Sequence, residues 1–215
     1  MSDARRREIE RAAASDPAAA GRLLLERVRA GEVPRERVHL LALVGDAAAC
    51  LALGLAPPSD PEKVARAAAG LGWRAVAIGL TDAARRALGD DRANALQRAA
   101  GLALQRLEQA QAAEGAAARP ALVTACRAVE AMNSVLQSKH PTQWGPTEPL
   151  ARAIEEATAL YRDASGESGR QPRAGDADAV RLRHLQTAVT KLGDAGLPLA
   201  AISAALVHAA GGVDG

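Results

Sequence analysis

Apolar positions recur along this chain at spacings of three and four, the period of a helix with one buried face. Ser15-Asp16-Pro17 supplies a cap and a first-turn proline. The helix they predict carries Leu24 and Val28 and stops at Gly31. Pro34 opens a second helix with Val38, Leu41 and Val44, and Asp46 starts a third that ends near Gly54. Ser59-Asp60-Pro61-Glu62 has the spacing of a capping box, and helical propensity then stays high to about Leu88. Within that run, Trp73 to Leu80 also alternates with period two. Trp73, Val76, Ala77 and Leu80 form a helical stripe as well, and no second strand exists to pair with them. Helix is the expectation there, loosened at Gly70, Gly72 and Gly79.

Three longer helices follow. Asp90 to Glu114 carries Leu96, Ala100, Ala103, Leu107 and Ala110 on one face. Arg119 to Ser138 places Leu122, Cys126, Val129, Asn133 and Leu136 at alternating spacings of four and three, like a coiled-coil seam. A buried face centred on Val129, Met132 and Leu136 leaves Asn133 at its edge. Glu148 to Ala164 turns Leu150, Ile154, Ala157 and Leu160 inward. The next eleven residues are polar and glycine-rich, the composition of a flexible linker or loop. Asp176 or Asp178 then caps a helix with Leu182, Leu185, Val189 and Leu192, and Gly196-Leu197-Pro198 turns into a last helix with Leu199, Ile202 and Leu206.

The fold class expected is all-α: an Ala/Leu-rich multi-helix bundle or short helical array with a C-terminal helical hairpin. Residues 1–57 are read as an N-terminal helical segment and 58–164 as a long-helix bundle core. Residues 165–175 are read as the linker, and 176–215 as a hairpin that docks on the core.

Composition changes how that core must pack. The 215 residues include no Phe, one Tyr and two Trp, and about a quarter are Ala. Aromatic side chains, which usually dominate burial energy, are nearly absent, so Leu, Val and Ala must pack with backbones close together. Lysine occurs three times and asparagine twice, while arginine supplies nearly all the positive charge. A GC-rich genome accounts for that bias, so the arginines say little about phosphate or nucleic acid. A net charge of +2 and a pI near 8.8 are equally weak signs of a polyanion partner. The most apolar stretch, Leu40 to Ala56, is broken at Gly45-Asp46 and is shorter than the roughly 20 residues of a membrane span. No secretory signal opens the sequence. Cys50 and Cys126 fit buried thiols of a reducing cytoplasm, the localisation expected.

Arg29-Ala30-Gly31-Glu32-Val33, Glu36-Arg37-Val38 and Gly45-Asp46-Ala47-Ala48 together resemble a short Ala/Leu-rich helical segment of uncharacterised proteins from high-GC bacteria. That segment has an Arg-Ala-Gly-Glu turn and a Leu-Gly-Asp-x-Ala-Ala break; here Val44 stands where the pattern has Leu. The resemblance covers about residues 20–56. It implies no activity and carries no functional residues across.

Tests for chemistry return little. His39, His140, His184 and His208 lie in no metal-helix motif and at no ligand spacing from one another. Glu155-Glu156 point about 100° apart on a helix, which makes them a solvated face rather than a proton-sharing pair. Ala68-Ala69-Gly70-Leu71-Gly72 lacks the Lys-Ser/Thr and the preceding strand of a phosphate loop. Leu192 to Ile202 resembles the turn of a helix-turn-helix, yet the helix after it offers no Arg, Lys, Asn or Gln to read a base edge. No catalytic residue, cofactor or metal site is expected, and the chain is read as no enzyme.

The most distinctive surface candidate is the proline-rich loop from Ser138 to Pro149, with Lys139, His140, Gln143 and Trp144 as partner-binding residues. Tryptophan is enriched at binding hot spots; the competing reading has Trp144 folded back as a plug, its indole bonded to a carbonyl. Trp73 is read as core. The expected function is a non-enzymatic protein-interaction module (an adaptor, regulator or immunity-like partner) that binds another protein. No nucleic-acid or membrane partner is expected, and a homo-oligomer is compatible. The alternatives are a DNA-binding regulator using the C-terminal hairpin and a small-molecule or lipid carrier.

Overall fold

The computed structural model describes residues 16–90, 93–138, 144–167 and 174–211. Ten α-helices and two 3₁₀ turns account for the regular structure of the described residues, and no strand occurs among them. The helices are α1 (Pro17–Arg29), α2 (Arg35–Val44), α3 (Ala47–Leu53), α4 (Pro61–Ala68), α5 (Trp73–Leu88), α6 (Ala95–Ala112), α7 (Ala118–Gln137), α8 (Thr147–Ala164), α9 (Ala174–Asp194) and α10 (Leu199–Ala209). The all-α class read from periodicity is the observed one.

Short polar side chains start several helices by taking first-turn N–H groups that have no helical acceptor. Asp16 accepts from Ala18 and Ala19, Asp46 from Ala49, and Asp60 from Glu62. The capping box read at Ser59 therefore sits one residue further on as a single Asp60 cap, and Glu62 instead pairs with Arg66. A true capping box occurs at α6, where Asn94 and Gln97 exchange side-chain bonds with each other's backbone N–H at 2.8 and 3.0 Å. It starts α6 later than the Asp90 expected. Between α4 and α5 the chain tightens into a 3₁₀ turn and then breaks at Gly72, whose φ of +93° suits glycine. Gly79 causes no break: α5 runs straight through it.

Helix α5 is the hub. It lies against α6, α8, α9 and α10, and it buries residues as far round its surface as Val76, Ala77, Gly79, Leu80, Thr81 and Ala84. Helices α6 and α7 form an antiparallel hairpin through the short Gly115–Ala117 turn, and α8 packs across both. Tyr161 fastens α8 to the end of α6 by donating to the Ala110 carbonyl at 3.1 Å. At the other end α1 lies on α3, and α2 on α3 and α4. Gly21 allows the first contact: a Cβ there would come 2.9 Å from the Ala48 carbonyl oxygen of α3. One cluster of buried side chains continues from Leu24 through Leu96 and Ile154 to Leu206.

The last two helices touch each other lightly. Helix α9 lies chiefly on α8, with α4 and α5 beside it, while α10 lies on α5 and reaches α2 and α4. Helix α9 begins at Ala174, ahead of the Asp176 and Asp178 caps expected, and the expected linker falls mostly outside the described residues. No helix among the described residues is long and apolar enough to cross a membrane.

Candidate surface groove

The sequence-nominated loop divides into two parts. Lys139, His140 and Gln143 lie outside the described residues. Trp144 is turned inward, 5% exposed, with its indole N–H donating to the Leu136 carbonyl at 3.3 Å. That carbonyl sits in the last turn of α7, where helical donors run out, so the ring buries its apolar body and satisfies an orphan acceptor together. Trp144 is a plug here and offers no exposed anchor. Trp73, expected in the core, packs against it half-buried, and its Nε1 donates to Asp178 of α9 at 3.0 Å. The hairpin helix considered for base reading, α10, has Ile202, Ser203, Ala205, Leu206 and Val207 buried.

The structure instead brings a groove together between α7 and α8. On α7 the residues 119, 122, 123, 126, 127, 130 and 133 follow successive spacings of three and one, one helical stripe. On α8 the facing stripe is Glu155, Thr158, Ala159 and Arg162. Short side chains at Cys126, Thr158 and Ala159 leave the helices incompletely filled along this line. Two open hollows result, of about 270 and 310 Å³, and they share Cys126, Glu130 and Arg162. The first is floored by Leu122 and Val123 and rimmed by Arg119 and Arg127. The second adds Val129, Asn133, Glu155 and Glu156, and is closed at its far end by His184 from α9. Val123 is 44% exposed, one of five large apolar side chains on the described surface.

Charges in the groove are unevenly matched. Arg119 Nε lies 3.2 Å from Glu167, Glu155 lies 3.1 Å from Arg152, and Arg162 has only a long 3.7 Å approach to its neighbour Asp163. Glu156 meets His184 Nδ1 at 2.5 Å, so the Glu155-Glu156 pair is partnered on two sides rather than freely solvated. Arg127 and the Glu130 carboxylate form no ion pair or hydrogen bond with a described residue. Asn133 adds a third unmatched group: its Oδ1 is shielded from solvent and meets no donor. Leaving such an acceptor unpaired costs about 1–3 kcal/mol.

Cys126 sits half-buried where the hollows join. Burial pushes its thiol pKa up; the Arg162 guanidinium pulls it down in part, and Glu130 raises it further. Cys50 is fully buried, with its thiol donating to the Ala42 carbonyl, and is pushed up by burial and by Asp46. The two cysteines are free thiols.

Local spacing could not have found His184 beside Glu156, because 28 residues separate them. Asn133 did carry a signal, as a polar residue interrupting an apolar seam. No family model matches the chain, and neither a curated protein nor a solved structure does.

Proposed function

We propose that this protein is a non-enzymatic protein-interaction module that receives a helical segment of another protein in the groove between α7 and α8. One observation carries the reading: an open groove keeps exposed Val123 beside Arg127 and Glu130, whose side-chain charges meet no partner among the described residues, on one helical stripe. From Arg119 to Asn133 that stripe runs about 21 Å at 1.5 Å per residue, the length of some four turns. Small ligands favour enclosure that buries most of their surface. A long shallow trough between two helices suits an amphipathic helix laid along it. The reading assigns no reaction.

The test places a photo-crosslinking amino acid at Val123 and, as control, at exposed Gln109 on α6, in cells of the native host. The expected result is one discrete protein adduct at position 123 and none at 109. The purified adduct partner then protects Cys126, but leaves Cys50 unchanged, in thiol alkylation. Equal adducts at both positions, no adduct at 123, or a partner that leaves Cys126 unprotected would overturn the reading.

A further inference from the structure

We infer that the first half of α9, from Asp176 to His184, is a clasped arm that releases from α8 as one unit while the second half stays docked. The inference concerns how the far end of the groove is closed, whatever occupies the groove, and stands apart from the interaction reading above. Burial divides the helix in two. From Asp176 to His184 no side chain is buried. Val180 and Leu182 are partly exposed and stand outside the apolar cluster, although Leu182 was expected on the inward face. The cluster takes its first member from α9 at Leu185 and continues through Ala188, Val189 and Leu192, each at most 1% exposed.

Polar contacts stand in for the missing core. Trp73 Nε1 of α5 donates to Asp178 at 3.0 Å. Arg181 pairs with Asp178 at 3.2 Å, and its Nη2 donates to the Asp163 carbonyl in the last turn of α8 at 2.9 Å. His184 Nδ1 meets Glu156 of α8 at 2.5 Å. Asp178, Arg181 and His184 are three residues apart in turn, so they share one face of the helix and hold or let go together. All three are partly or fully exposed, and water competes for each contact. The clasp is also imperfect: Asp163 Oδ1 and Arg181 Nε are shielded and meet no hydrogen-bond partner among the described residues. Release returns both to water, which offsets part of what the broken contacts lose. A segment held this way opens far more readily than a helix anchored in the core. His184 lines the second hollow, so release of the arm unblocks that end of the groove.

Amide hydrogen exchange of the full chain tests the arm. Amides 178–184 are expected to exchange about tenfold or more faster than amides 188–194. Trp73→Phe removes one anchor from the α5 side and leaves the sequence of α9 untouched. It is expected to speed exchange across 178–184 by about threefold or more, as loss of one hydrogen bond to a carboxylate allows, and to leave 188–194 unchanged. His184→Ala raises helix propensity, yet is expected to speed the same amides. For the groove, Ala159→Cys combined with Cys126→Ala places one thiol in the second hollow. Adding Trp73→Phe is expected to speed its reaction with a bulky maleimide by about threefold, in step with exchange. Equal protection across 178–194 overturns the arm. So does the same response of both halves to Trp73→Phe, or variants that each affect only their nearest amides. Faster exchange without faster alkylation at position 159 overturns the link to the groove.

Discussion

Gly79 on α5 faces the backbone of Leu206 on α10: a Cβ at Gly79 would lie 2.8 Å from the Leu206 Cα and 2.9 Å from the Ala205 carbonyl oxygen. The obstacle is backbone, which cannot rotate aside. Gly79→Ala therefore forces α10 off the hub helix and is expected to cost about 1–3 kcal/mol, as other overpacked cores do. Gly193 on α9 is the control, because a Cβ there meets nothing within 4 Å. Gly193→Ala is expected to stabilise by up to about 1 kcal/mol through helix propensity. Urea unfolding of the two variants checks the opposite signs.

Tyr161→Phe deletes only the hydroxyl that donates to Ala110. The Ala110 carbonyl lies in the last turn of α6, where backbone donors run out. A loss of about 1 kcal/mol is expected in thermal or denaturant unfolding, with circular dichroism unchanged at room temperature.

Asn133→Leu removes a shielded acceptor that meets no donor among the described residues and adds apolar contact, so stability is expected to hold or to rise by about 1 kcal/mol. Urea unfolding of the variant checks the sign.

The two tryptophans separate by spectroscopy. Trp73→Phe leaves Trp144, buried at 5% exposure, and emission is expected to shift to the blue and to resist acrylamide. Trp144→Phe leaves the half-buried Trp73, with redder emission and faster quenching.

Burial is the leading cause that raises both thiol pKa values, so alkylation is expected to be slow at neutral pH and to accelerate only above the ordinary thiol range near about 8.5. Cys126, half-buried in an open groove, reacts before Cys50. The folded chain holds these protons more tightly than the unfolded one. The thiol contribution to stability is therefore whole below the unfolded pKa and is lost as pH rises through the higher folded value. Unfolding midpoints across pH 7 to 11, with Cys50→Ala and Cys126→Ala for comparison, read that slope.

What the sequence determined alone is the set of rods and their inward faces. Leu96, Ala100, Ala103, Leu107 and Ala110 were legible as one buried stripe because helical period is a local property, and all five are buried. The caps at Asp16 and Asp46 were legible for the same reason: donor and acceptor lie within three residues. Tertiary structure decided what those rods leave between them. The sequence left Trp144 between a surface anchor and a buried plug and placed Trp73 in the core; packing made the first a plug and left the second half-buried at the core's edge, because only the folded chain sets the Leu136 carbonyl beneath one indole and Asp178 beside the other. The groove follows the same rule. Arg127, Glu130 and Asn133 share a stripe on one helix, but Glu155, Ala159 and Arg162 come from another and His184 from a third. Their juxtaposition depends on how closely small side chains let the helices approach, which no single periodicity contains.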